Sequence, residues 1–188
     1  MKRGGLFSAL LVVSILLIPG AQLIKAGDET QPEFIGQWND TIEYWDIISG
    51  WFQEIDDEKE TLRITLRMHG FTLIGRSKLI INFTCDEIIY YLNATITFFG
   101  IPKSTIAIYD TYNEEWQTTK VKANIDFYRN RITFKIPKTE CKNLDRGMMI
   151  TDASASASYF HCHILDQYPI IHNLMHDTVY GKNYKIKY

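Results

Sequence analysis

The chain lacks the motifs that usually announce a reaction. It has no glycine-rich phosphate loop of either common kind, G-x-x-x-x-G-K-[ST] or G-x-G-x-x-G. It has no H-E-x-x-H zinc helix and no G-x-S-x-G nucleophile turn. Its acids are many, but none sits in a context that marks a catalytic carboxylate pair. Excess basic charge is also missing. The 20 Lys and Arg against 22 Asp and Glu leave a formal charge of −2, which excludes a general nucleic-acid footprint. After residue 26 no apolar run is long enough to span a membrane. Disorder is excluded from the other side, because 46% hydrophobic and 13% aromatic residues in 188 are ample for one core and short of two. The reading favours a protein that is not an enzyme.

The one long apolar run lies at the start. Lys2 and Arg3 precede an uncharged stretch of 13 residues, Leu6 to Ile18, broken by Pro19 and Gly20. Thirteen is short of the roughly 20 that a span requires and fits a secretory signal. Residues 1–26 are read as the signal, cleaved after Ala26, and 27–188 as a single domain. Loss of Lys2, Arg3 and Lys25 takes the formal charge from −2 to −5. The expected location is secreted or at the extracellular cell surface, with membrane attachment only through an uncleaved signal. In an oxidising compartment two of Cys85, Cys141 and Cys162 can pair, and sequence does not choose among the three pairs. Sequons at Asn39, Asn82 and Asn93 are candidate glycosylation sites.

What is present is alternation at period two. Leu62, Ile64, Leu66 and Met68 alternate with Arg63, Thr65, Arg67 and His69. Tyr90, Leu92, Ala94, Ile96 and Phe98 share one face of a second strand, which turns Asn93 outward. Ile132, Phe134 and Ile136 share the inner face of a third. Further strands are expected over 44–52, 79–84, 105–109, 125–128, 153–164 and 184–188. Arg129-Asn130 is the expected hairpin loop, because Asn tolerates positive φ. Pro169 at a favourable first position predicts a short helix to Asp177. The expectation is all-β: an antiparallel β-sandwich of eight or nine strands, with one short helix near the C-terminus.

Four of the five histidines crowd into sixteen residues: His161, His163, His172 and His176. His161 and His163 share a strand face, and His172 and His176, four apart, share a helix face. Neutral imidazoles from both could converge on zinc or copper, the cofactors this segment would take. The run Phe160-His161-Cys162-His163-Ile164-Leu165-Asp166 is similar to the copper signature of multicopper oxidases. In that family the Cys binds one copper and the flanking His point to a cluster. The chain departs from the pattern at Gln167, where a further histidine is expected, and at His172, where the axial ligand is expected. The family's other paired histidines are absent.

A wider resemblance covers roughly residues 44–188. It rests on Tyr44-Trp45-Asp46-Ile47-Ile48-Ser49-Gly50-Trp51-Phe52, Leu62 to Leu66, Ile132-Thr133-Phe134-Lys135-Ile136-Pro137-Lys138, and Tyr180-Gly181-Lys182-Asn183-Tyr184-Lys185-Ile186-Lys187-Tyr188. In order and spacing these segments resemble small secreted archaeal β-sandwich proteins of the DOMON and family 9 carbohydrate-binding type. The resemblance implies a ligand-binding sandwich for sugar or haem, with no haem ligand motif to carry over. Among the four tryptophans, Trp45 and Trp51 are six apart and read as a shared core face. Trp116, in a turn region, is the candidate ligand-binding aromatic. The function expected is a secreted or cell-surface binding module for carbohydrate or another surface component. The alternative is an extracellular zinc- or copper-binding protein.

Overall fold

The alternation over residues 61–68 and 131–137 becomes two central strands whose apolar faces are fully buried. Leu62, Ile64, Leu66, Ile132, Phe134 and Ile136 have no solvent exposure. The computed structural model describes residues 29–37, 46–71, 76–96, 102–163 and 170–188; at residues 56, 76, 160–163 and 170–176 it describes the backbone alone. Twelve strands occur among these residues: β1 (Phe34–Ile35), β2 (Ile47–Gln53), β3 (Thr61–Met68), β4 (Arg76–Cys85), β5 (Ile88–Ile96), β6 (Pro102–Asp110), β7 (Glu115–Lys120), β8 (Lys122–Asp126), β9 (Arg131–Pro137), β10 (Met149–His163), β11 (Ile170–Tyr180) and β12 (Tyr184–Lys185). The only helical pieces among them are two 3-10 turns, Asp56–Glu58 and Lys138–Glu140.

The strands form two antiparallel sheets. The smaller has the order β1-β2-β3-β9-β8. The larger runs β11-β10-β4-β5-β6-β7, with β12 paired to β10. Rings from both sheets meet in one core. Phe52 of β2 packs edge-on against Phe83 of β4 at 5.7 Å and stacks on Tyr184 at 5.5 Å. Between β7 and β8 the chain changes sheet through a single buried residue, Val121, whose N–H and C=O bond to Ser104 of β6. At the other edge the Asp177 carboxylate of β11 accepts the Ile47 N–H at 2.7 Å. Gly36 lies so close to the Ile47 carbonyl there that an added Cβ would sit 1.8 Å from the oxygen.

Several expectations are corrected. The segment expected to be a C-terminal helix is β11, paired along its length with β10. Pro169 at a favourable first position suggested a helix, but antiparallel pairing with a 15-residue neighbour satisfies the backbone instead. β7 was not expected, because Glu115–Lys120 has no buried face to create alternation. The β8–β9 hairpin has a four-residue loop, Phe127 to Asn130, since Asp126 Oδ1 accepts the Arg129 N–H at 3.1 Å and closes the turn early. Asn130 does take positive φ, 52°. A bulge between Ile47 and Ser49 shifts β2 by one residue, so a six-residue spacing does not keep Trp51 on the core face. Trp51 is buried outside the central cluster, beneath the Arg131 guanidinium at 5.4 Å.

One buried carboxylate binds three separate stretches of chain. Glu54, just after β2, has a fully buried side chain and pairs with Lys138 Nζ at 2.7 Å. It also accepts the Lys187 N–H at 2.6 Å and the Tyr184 hydroxyl at 3.3 Å. Lys138 Nζ donates in turn to the Tyr188 carbonyl. Removing one partner of such a pair leaves an uncompensated charge. Glu54→Ala is therefore expected to lower unfolding free energy by about 3–5 kcal/mol in urea titrations. A loss below about 1 kcal/mol would show that the tail is held by apolar packing alone.

Candidate functional site

The register of the larger sheet assembles a face that no single strand displays. Directly opposed residues of an antiparallel ladder share a face. One row runs Tyr180, Ser154, Asn82, Tyr91, Ala107, Thr118. The next runs Thr178, Ser156, Ile80, Asn93, Thr105, Lys120. On the other side stands Thr84, Ile89, Tyr109, Trp116. All three rows lie opposite the core, because the alternate residues Leu79, Ile81, Phe83, Tyr90, Leu92 and Ala94 are buried. Trp116 is 65% exposed and lies 4.8 Å from the Tyr109 ring, centroid to centroid. Tyr180 is exposed at the opposite edge. The centre is built from small hydroxyl and amide side chains. The Oδ1 atoms of Asn82 and Asn93 are covered by neighbours and accept no hydrogen bond from the described residues.

Aromatic edges flanking a polar, uncharged centre suit a ligand with both apolar ring faces and hydroxyls. Ring stacking binds the former, and Ser, Thr and Asn groups the latter. Trp116 and its neighbour Tyr109 were within reach of sequence reasoning. Alternation along β5 also turns Tyr91 and Asn93 to one outward face, but Tyr180 and Asn82 join them only across strands.

Trp116 follows a turn that one carboxylate holds. Asp110, at the end of β6, accepts the backbone N–H groups of Tyr112 and Asn113 at 3.1 Å each through Oδ1. Its Oδ2 accepts Asn113 Nδ2 at 2.8 Å and Lys142 Nζ at 3.0 Å. These bonds, the Asn113 side chain first, hold the Asp110 carboxyl well below the usual carboxylate range.

Asn82 and Asn93 lie half-buried on the same face, so a glycan on either would cover it. Asn39 lies outside the described residues, as do Trp38 and Trp45. Cys85 and Cys141 are free thiols, and no disulfide occurs among the described residues. Cys85 donates to the Asn143 carbonyl at 2.9 Å. Burial pushes the Cys85 thiol up to about 11 and the Cys141 thiol up to about 12. Neither supplies a thiolate at neutral pH. Cys162 has only its backbone described.

The histidine segment is placed by its backbone alone. His161 stands directly opposite His172, and His163 opposite Ile170. The helix expected to bring His176 to the same point is absent. A register shift leaves one extra residue, Leu174, between Asn173 and Met175, and His176 falls opposite Ser158. His176 is thus out of step with the His161–His172 rung. Among the residues with described side chains, no group of three His, Cys, Asp or Glu is gathered to hold a metal; the four histidines fall outside that set.

No family model, curated protein or solved structure matches the chain.

Because the folded Asp110 resists protonation, its contribution is fully present above the ordinary aspartate value of about 3.9. It is lost progressively as pH falls from that value, where the unfolded chain takes up the proton first, toward the folded group's own lower value. Asp110→Asn should therefore flatten the fall of Tm between pH 4 and 2, followed by circular dichroism. An unchanged acid slope would show that other carboxylates carry the dependence.

Proposed function

We propose that the chain is a secreted or cell-surface, non-enzymatic binding module. It takes a carbohydrate on the outer face of the larger sheet. The observation that carries this reading is the exposed Trp116 packed at a tilt against Tyr109, beside rows of Ser, Thr and Asn that face away from the core. A sugar ring presents an apolar face to the aromatic pair and hydroxyls to the amides. The sandwich-like pairing of sheets gives this face a rigid base, since β4, β5, β6 and β10 beneath it are packed on the core and β7, which carries Trp116, is held to β6 by pairing. The signal-like start and the resemblance to carbohydrate-binding sandwiches support the same reading.

The test is a neutral-glycan array followed by calorimetry on the best binder. Trp116→Ala should weaken binding at least about tenfold, or ~1.4 kcal/mol, while Tm stays within a degree or two. Binding unaffected by Trp116→Ala, or no binder on the array, would sink the platform reading. The same protein also settles whether Asn82 and Asn93 carry glycans. An intact mass matching the unmodified chain leaves the face open.

One observation favours a second reading, an extracellular zinc or copper site. The register makes His161 and His172 a cross-strand pair, with His163 two residues along. Opposed Cα atoms in such a pair lie about 4.5–5.5 Å apart, close enough for two imidazoles to share an ion. On this reading the protein retains about one equivalent of metal after loading and dialysis. His161→Ala or His172→Ala abolishes retention, and His176→Ala leaves it intact. Failure to retain metal would remove this alternative.

A further inference from the structure

The outer face of the smaller sheet is ionic across its middle, whereas the larger sheet's outer face is uncharged at its centre. Two of its rungs place like charges directly opposite each other: Arg67 with Arg131, and Arg63 with Lys135. Opposed like charges destabilise a ladder unless a counterion bridges them. Glu58 bridges the Arg63–Lys135 rung, at 2.8 Å to Arg63 and 3.3 Å to Lys135. It comes from the 3-10 turn that leads straight into β3, so it is local to the rung it serves. Glu29 bridges the Arg67–Arg131 rung, at 3.2 and 2.5 Å. It arrives instead from the N-terminal arm, five residues ahead of the first strand.

The Glu29 rung opens on a cavity that the Glu58 rung does not share. This cavity, of about 360 Å³, is lined by Arg67, His69, Tyr128, Arg129, Asn130 and Arg131 among others. Its size suits a single sugar ring. Three guanidiniums stand around it. The carboxylates near them are Glu29, between Arg67 and Arg131, and Asp126, which stands opposite Arg131 on the β8 side of the rung and lies 4.0 Å from Arg129 Nε. The Trp51 ring lies under Arg131 and fixes its plane, while the Arg131 Nε is buried without a hydrogen-bond partner among the described residues. Tyr128, at the hairpin tip, is 95% exposed at the mouth and offers a ring face. Paired guanidiniums are the side chains best shaped for a carboxylate.

We propose that the Arg67–Arg131 rung is a binding site for the carboxylate of an acidic saccharide, a uronate, and that Glu29 occupies it from within the chain until the ligand displaces it. The aromatic Tyr128 beside a fork of arginines favours a sugar ring bearing a carboxylate over an extended acidic peptide. This site lies on the sheet opposite the neutral-sugar platform and does not depend on it.

The test is calorimetry of the full chain with an oligogalacturonate, its methyl-esterified form and an oligoglutamate. The ester removes the charge and keeps the sugar. The free acid is expected to bind and the ester is not. Glu29→Gln, at an exposed position, should tighten binding about tenfold by emptying the rung. Arg67→Gln and Arg131→Gln should weaken it by about tenfold or more. Arg67→Lys keeps the charge without the fork and should recover only part, and thermal unfolding of each variant separates lost binding from lost fold. Trp116→Ala should leave uronate binding unchanged, so failure of the platform and failure of this site are read apart. Equal binding of acid and ester overturns the proposal. So does an absence of uronate binding in Glu29→Gln, or an oligoglutamate that binds as tightly as the uronate.

Discussion

The structure depends on carboxylates taken into the interior to satisfy backbone groups at the ends of strands. Glu54 is the clearest. Its side chain is wholly buried, and it joins the end of β2, the connection after β9 and the C-terminal tail through Lys138, Lys187 and Tyr184. Burial, and the Glu54 charge beside it, hold the Tyr184 phenol far above its ordinary range, so it stays a donor to that carboxylate. Glu33 does the same within the smaller sheet, accepting the Phe52 N–H at 2.9 Å, and Asp177 does so between the sheets at Ile47. Each accepts donors that would otherwise be buried and unpaired, which costs more than the bond itself gives. None of the three is free to serve as a solvent-facing acid or base, and the outer faces are left for function.

Those outer faces differ because of the residues alternating with the core. On β4, β5 and β10 the outward positions around the centre are Ser, Thr, Asn, Tyr and Ile, and that centre is neutral, with Lys78 and Lys103 on a row beyond it. On β3 and β9 they are Arg, Thr and Lys, and the face is ionic. One core therefore supports two surfaces with opposite demands. The neutral face can desolvate against a ring at little electrostatic cost. The ionic face requires an anion at each like-charged rung, whether from the chain or from outside.

The core was legible in the sequence wherever alternation was unbroken. β3, β5 and β9 bury the residues their period-two pattern indicates, and the Ala153, Ala155, Ala157 series is buried along β10. Elsewhere bulges hid the pattern. Asp152, at φ 51°, carries a bulge that switches the buried face of β10 from Ile150 to Ala153. A second in β2 turned Trp51 away from the central cluster. A third in β11 put His172 and His176 out of step. β11 itself was expected as a helix on the strength of Pro169 at a favourable first position, which is a purely local cue. Its pairing with β10 is a long-range fact that local pattern does not contain. β7 carries no buried face at all, so it had no signal to give.

The same limit governs the candidate sites. Trp116 was expected in a turn region; it lies in β7 and is exposed there because that strand has no buried face. The platform around it is not local. Asn82 and Tyr91 are nine residues apart in the chain and face each other through the β4–β5 register, while Tyr180 joins them from nearly a hundred residues away. The arginine rung shows the point more sharply. Arg67 and Arg131 each read as the ordinary polar half of an amphipathic strand, and no local pattern joins Glu29 to them. Only the antiparallel register of β3 and β9 opposes the two guanidiniums, and that opposition makes a carboxylate necessary. The need for an anion is a consequence of pairing, and it would persist if Glu29 withdrew. A chain whose fold creates such a need, and fills it from a terminal arm beside an open cavity, has the physical elements of a displaceable ligand site.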